Sequence, residues 1–204
     1  MRNLSKTVAS ANERMDALEA LRESSIAASR VVIRAAKKAI HAIHSHEAHE
    51  DLLNAAVAEY DKLCASVRKE PEILFSGPVG DAMMELAEAC ILSSAVRKKD
   101  IPSFSVLNIT PQAWILGLAD CLGEMRRIVL DRLMNGNVGE AKKIFDDMEK
   151  VCDSVMSFDV PDAILPIRRK QDIARGVMER TRTDITNALI MKRSDLSCNL
   201  KDQD

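Results

Sequence analysis

The chain has 204 residues, 47% hydrophobic and 29% charged, a balance that supports a packed core and argues against disorder. Only 7 Gly and 6 Pro occur, none before Pro71, and aromatics are 3%, which excludes a β-sandwich or barrel with its frequent turns and aromatic strands. Lys and Arg number 29 against 31 Asp and Glu, so global charge announces no nucleic-acid binder and any such role must come from a local patch.

Residues 5 to about 44 read as one helix, with Leu18, Leu21, Ala28, Val32, Ala35, Ala36, Ala39 and Ile43 recurring at steps of three, four and seven. Such a helix is about 60 Å long, more than a small domain needs, which points to a large bundle or an assembly. Ser45 is its expected break. A second helix is expected over about 47–69, with Leu52, Leu53, Ala56, Tyr60, Leu63 and Val67 inward and Pro71 ending it. A third starts near Pro78 and ends at 97–99, where basic residues suit the C-terminal dipole. Residues 100–109, with Pro102, form a connector. Thr110-Pro111 reads as an N-cap followed by Pro at the first helical position, opening a fourth helix to about Met134 that Asn135-Gly136-Asn137 stops. A fifth helix covers roughly 138–154, a loop with Pro161 and Pro166 covers 157–166, and a sixth helix spans about 167–192 before a polar, fraying tail from 194. The class expected is all-α: one helical domain over 1–204, a bundle of six to seven helices with antiparallel neighbours.

No run of 18 apolar residues exists, so no membrane span is expected, and residues 1–12 lack the apolar region of a secretory signal. Five scattered cysteines (Cys64, Cys90, Cys121, Cys152 and Cys198), without a Cys-x-x-Cys, read as thiols in a reducing cytoplasm.

Two of the helices carry charge in an unusual place. From Ala82 to Val96 the only charged residues are Glu85 and Glu88, and from Pro111 to Met125 they are Asp120 and Glu124. Spacings of i,i+3 and i,i+4 put each pair on one helix face. A helix that is apolar nearly all round is a buried one, and acids on it must meet something positive. If the two helices face each other, four carboxylates converge; hard oxygens without thiolate or imidazole suit Mg²⁺ or Mn²⁺. Pairing with Arg97, Arg126 or Arg127 accounts for the same acids without a metal, and structural ion pairs are the commoner arrangement. His41, His44, His46 and His49 offer a His-x-x-His spacing for a transition metal, but they straddle the break at Ser45 among Glu47 and Glu50 and read as a solvated helix end. Neither acidic helix carries the Glu-x-x-His of a di-iron bundle, and no P-loop, GxGxxG or GxSxG is present.

Cations cluster twice. Arg30, Arg34, Lys37 and Lys38 lie on the first helix at steps of four, three and one; Arg168, Arg169, Lys170, Arg175, Arg180 and Arg182 stand against only Asp172 and Glu179. Either stripe can track a phosphate backbone, and either can be a solvated helix face. Aromatics are too few for a base-stacking platform, so sequence-specific readout is not expected.

The run LNITPQAWILGLADCLGEMRR, from Leu107 to Arg127, resembles the translin and translin-associated factor X (TRAX) family. So do Met84-Glu85-Leu86-Ala87-Glu88-Ala89, Asn135-Gly136-Asn137 and Pro166-Ile167-Arg168-Arg169-Lys170-Gln171-Asp172, so that the resemblance covers most of the chain. It implies an all-α fold assembling into a closed oligomeric shell, an octamer, that binds single-stranded RNA or DNA. It also implies the catalytic TRAX branch, a Mg²⁺-dependent endoribonuclease on single-stranded RNA. Translin lacks the acids of the third helix, whereas Glu85 and Glu88 match the TRAX pair and Asp120 and Glu124 match the acids of the next helix. These four become the expected metal ligands and catalytic residues. The short 100–109 connector implies a minimal, archaeal-type version that assembles without a separate translin partner. The resemblance fixes no RNA contact. Arg30, Arg34, Lys37 and Lys38 are the residues expected to face an interior cavity and hold the RNA backbone.

Two rival functions remain. One is a non-catalytic single-strand-binding assembly like translin. The other is an all-α nucleotide pyrophosphatase, whose Glu-x-x-Glu is followed by Glu-x-x-Asp; the second half here is Asp-x-x-x-Glu instead. If the acids are simply clustered like charges, removing them should raise the stability of the metal-free protein.

Overall fold

The structure, a computed structural model, describes residues 3–201, with side chains through Arg193. Among the described residues there are seven α-helices and no strand. The chain divides into two compact units, residues 1–89 and 90–204.

The first unit holds α1 (Leu4–His44), α2 (Glu50–Val67), the four-residue α3 (Pro71–Leu74) and the first turns of α4 (Gly77–Arg97). The break at Ser45 is where the sequence placed it. The Ser45 N–H closes on the His41 carbonyl at 2.9 Å, and His46 takes a left-handed φ of 57° that turns the chain. The Glu47 N–H still bonds the Ala42 carbonyl at 2.9 Å, so α2 begins at Glu50 rather than 47, with Glu50 and Asp51 in its first turn, where the dipole favours acids. Buried Ser25, Ser29, Val32, Ala36, Ala39 and Ile43 step along α1 by fours and threes, as do Ala56, Tyr60, Leu63 and Val67 along α2. The two helices pack on each other through this seam, and its serines and alanines allow close approach. Leu18, Leu21, Ala28, Ala35, Leu52 and Leu53, also expected inward, are only half-buried, and α1 before Leu18 is exposed. Pro71 does more than end α2. It is the first residue of α3, an element the sequence reading did not contain.

In the second unit α5 (Pro111–Met134), α6 (Val138–Met156) and α7 (Arg168–Lys201) all pack on one another. Their core is Cys121, Leu122, Met125 and Val129 from α5, Phe145, Met148 and Val155 from α6, and Ala174, Val177 and Met178 from α7. The expected cap is present: the Ala113 N–H donates to the Thr110 hydroxyl at 3.2 Å, with Pro111 behind it. Gly136 makes the α5–α6 turn at φ 74°, a conformation open to glycine. Trp114 Nε1 donates to the Pro102 carbonyl at 2.8 Å and ties the 100–109 connector to α5. Gln171 donates its amide to the carbonyls of Val155 and Phe158, at 3.1 and 2.9 Å, and holds the loop after α6 to α7. The tail expected to fray from 194 continues as α7 backbone to Lys201, and residues 202–204 lie outside the described residues. No helix among the described residues is long and apolar enough to cross a membrane.

Candidate metal and nucleic-acid site

Glu85 and Glu88 sit one turn apart on α4, in the first unit, among buried Ala82, Met83, Leu86, Ala87 and Ala89. Glu88 is buried, at 9% exposure, and Glu85 is half-buried. Asp120 and Glu124 sit one turn apart on α5, in the second unit, half-buried beside Ala119, Cys121 and Leu122. The helical periods that the sequence implied thus hold within each pair. Each pair belongs to its own compact unit.

The partners of these acids differ in part from those expected. Arg127 does bond Glu124, at 2.9 Å along the same helix. Arg126 does not serve the acids of α4 or α5. Its guanidinium donates to the Thr181 hydroxyl at 2.8 Å and lies 2.8 Å from the Asp184 carboxylate, linking α5 to α7. Two lysines also meet these acids. Lys170 Nζ, from α7, donates to both Oδ1 and Oδ2 of Asp120 at 2.5 Å. Lys37 Nζ, from α1, stands 3.4 Å from Glu85 Oε1. Both lysines belong to the basic stripes of the sequence, and no spacing rule connects residues this far apart in the chain.

Among the described residues, no group of three or more His, Cys, Asp or Glu side chains is gathered as a metal centre, and this includes His41, His44, His46 and His49. Cys64, Cys90, Cys121 and Cys152 are thiols rather than disulfides, and the side chain of Cys198 lies outside the described residues.

The two basic stripes differ in how far their charge is already used. On α7, Arg168 pairs with Asp162 at 3.5 Å, Lys170 with Asp120, Arg175 with Asp172 at 2.6 Å, and Arg182 with Glu149 at 2.8 Å while lying over the Phe145 ring. On α1, Arg30, Arg34, Lys37 and Lys38 are all exposed, and only Lys37 has an ion pair among the described residues. Arg34, Lys37, Lys38 and His41 line a shallow groove with Glu47 and Leu52. A stripe whose cations lack acidic partners is the better surface for an anionic polymer.

No family model matches the chain. An uncharacterised protein of Methanocaldococcus jannaschii is 36% identical over 171 residues, spanning 82% of this chain and 76% of that protein. Among solved structures, the Archaeoglobus C3PO bound to duplex RNA is similar at a TM-score of 0.84 and 32% identity, covering 91% of this chain and 97% of that one. A crystal structure of the Archaeoglobus C3PO gives 0.83 and 33%, covering 91% and 98%. The apo C3PO of Neurospora, at 19% identity and a TM-score of 0.78, shares the fold over 92% of this chain and 98% of that one.

Proposed function

Because these C3PO complexes are of the translin and TRAX type, this chain belongs to the translin and translin-associated factor X family, and we propose that it is a Mg²⁺-dependent endoribonuclease of the TRAX kind, acting on single-stranded RNA inside a closed homo-octameric shell in the cytoplasm. The observation that carries this reading is the occurrence of two acid pairs on helical stretches, 82–96 and 111–125, that carry no other charged residue, with Glu88 at 9% exposure. Burying a carboxylate is unfavourable, and a leucine would fill the position better if packing were the only demand. RNA as the ligand class is supported by the Archaeoglobus relative, whose structure is a complex with duplex RNA.

In this reading Glu85, Glu88 and Asp120 hold Mg²⁺, with Mn²⁺ as a substitute, and Glu124 is either a fourth ligand or the base that positions the attacking water. A set of carboxylate oxygens fits such a hard cation. When bound, the cation polarises the scissile phosphate and lowers the pKa of its water. The chain supplies the rest. Arg127 orients the Glu124 carboxylate through their 2.9 Å bond. The α1 stripe of Arg30, Arg34, Lys37 and Lys38 grips the phosphate backbone without reading bases.

The test is cleavage of labelled single-stranded and duplex RNA with Mg²⁺, with EDTA, and with Glu88→Gln and Asp120→Asn proteins. Amide variants keep the side-chain shape and remove the charge. Both should lose cleavage while still binding RNA, and EDTA should stop the wild type. Wild-type rates in Asp120→Asn, or indifference to EDTA, would hand the chain to the second reading, a non-catalytic RNA-binding assembly. That reading has its own support, since Lys37, Lys170 and Arg127 already balance Glu85, Asp120 and Glu124 without a metal.

A further inference from the structure

We propose that Lys170 is a tethered cation that occupies the Asp120 carboxylate until a divalent metal displaces it, and that it thereby sets the metal concentration at which the site loads. The inference rests on the reading of Asp120 as a metal ligand. Its basis is the contact itself: Nζ lies 2.5 Å from both carboxylate oxygens, so the ammonium occupies the edge of Asp120 between them, and a metal at its usual distance of about 2.1 Å would have to share that carboxylate with it. An ammonium and a divalent cation on one carboxylate repel each other strongly where solvent screening is reduced. Here it is reduced, the Lys170 and Asp120 side chains being 23% and 33% exposed. Metal binding and the lysine contact are therefore alternatives. The lysine holds Asp120 oriented and charge-balanced before loading, and its flexible four-carbon stem lets the ammonium move aside afterwards.

The first unit repeats the arrangement in a looser form. Lys37 stands 3.4 Å from Glu85, and its side chain is 62% exposed. Distance and hydration both make it the weaker competitor, which ranks the two lysines in advance. Lys170 is a positioning residue in this scheme, acting through Asp120.

The experiment is calorimetric titration of the full chain with Mn²⁺ alone, for wild type and for Lys170→Met, Lys170→Arg and Lys37→Met, with a thermal melt of each. Removing the competing cation should tighten Mn²⁺ binding about tenfold in Lys170→Met, the scale of a charge-assisted hydrogen bond, and only about two- to threefold in Lys37→Met. Lys170→Arg, which keeps the charge, should return close to wild-type affinity. The Mg²⁺ concentration giving half-maximal cleavage should fall in the same order. A lowered melting temperature is expected of Lys170→Met in either case; a purely structural lysine would leave Mn²⁺ affinity unchanged or weaker on replacement, and that result overturns the proposal. If neither wild type nor Lys170→Met binds Mn²⁺, the metal-dependent nuclease itself fails and this inference falls with it, whereas equal affinities in the two remove the inference alone.

Discussion

An ammonium and a carboxylate that meet at 2.5 Å with limited solvent access cannot be separated by substitution without leaving one of them poorly satisfied. Asp120→Asn and Lys170→Met should therefore each lower the stability of the metal-free protein by about 1–2 kcal/mol, a figure already reduced for the partial exposure of both groups. The double variant should lose less than the sum, because the second change removes a group that the first left without its partner. Urea denaturation at neutral pH checks this; a more stable Asp120→Asn protein would show that repulsion among the acids dominates. The sequence alone supported that opposite outcome, because it displayed the acids and hid their counter-charges. Glu85, Glu88, Asp120 and Glu124 were legible because a carboxylate in an apolar helical run stands out without any knowledge of neighbours. Lys37 and Lys170 were not, since a lysine among other cations on a helix looks like a solvated face until tertiary packing supplies its partner. A second prediction at this scale concerns Cys90. Burial raises its thiol from about 9 to about 12. The folded state then holds a proton that the unfolded chain releases above pH 9, so this contribution to stability is complete below pH 9 and declines as pH climbs towards 12. Native protein at pH 8 should leave Cys90 unalkylated by iodoacetamide while urea-unfolded protein is modified, with mass spectrometry of the peptide as the readout.

At the scale of elements, boundaries set by local chemistry were readable and those set by packing were not. Ser45, Thr110-Pro111 and Asn135-Gly136-Asn137 each carry their own backbone instruction, and α1, α5 and α6 begin or end at them. The four residues of α3 carry no period long enough to detect, and the late start of α2 depends on one extra backbone bond from Glu47 to Ala42. The cap at α5 gives a direct test. Thr110→Ala removes the acceptor of the Ala113 N–H and should cost about 1 kcal/mol in denaturation, with Thr110→Ser restoring most of it. The α1 stripe gives another. Arg30→Ala, Arg34→Ala and Lys38→Ala combined avoid the lysine tied to Glu85, so they test backbone binding without disturbing the acids. RNA affinity should fall alike for unrelated sequences, and the salt dependence of log affinity should flatten by about 0.7 per lost contact, or about two in all. Unchanged affinity would return the stripe to a solvated face and shift attention to the exposed Arg169 and Arg180 of α7.

For the whole molecule, the decisive feature is how little of α1 the chain itself covers. Burial along α1 starts at Ser25, and everything before Leu18 is exposed. Yet Leu4, Val8, Ala11 and Met15 fall at steps of four, three and four, the spacing of a helix seam, with Leu4, Val8 and Met15 at 52%, 48% and 62% exposure. Solvent gives no reason for apolar residues to keep that register, and a helix of 41 residues is not held by its own propensity alone. In the proposed shell a second copy of the chain would supply a matching face under closed symmetry. Light scattering at micromolar concentration should give a multiple of the 22.6 kDa chain, with an octamer near 181 kDa, roughly eightfold. Val8→Asp with Met15→Asp should shift that mass downward while leaving the helical circular dichroism nearly intact, because both side chains are exposed in the single chain. A wild-type mass of 22.6 kDa would remove the shell altogether. A full-sized double variant would keep the shell but move its contacts off the start of α1, and the apolar stripe would then need another explanation.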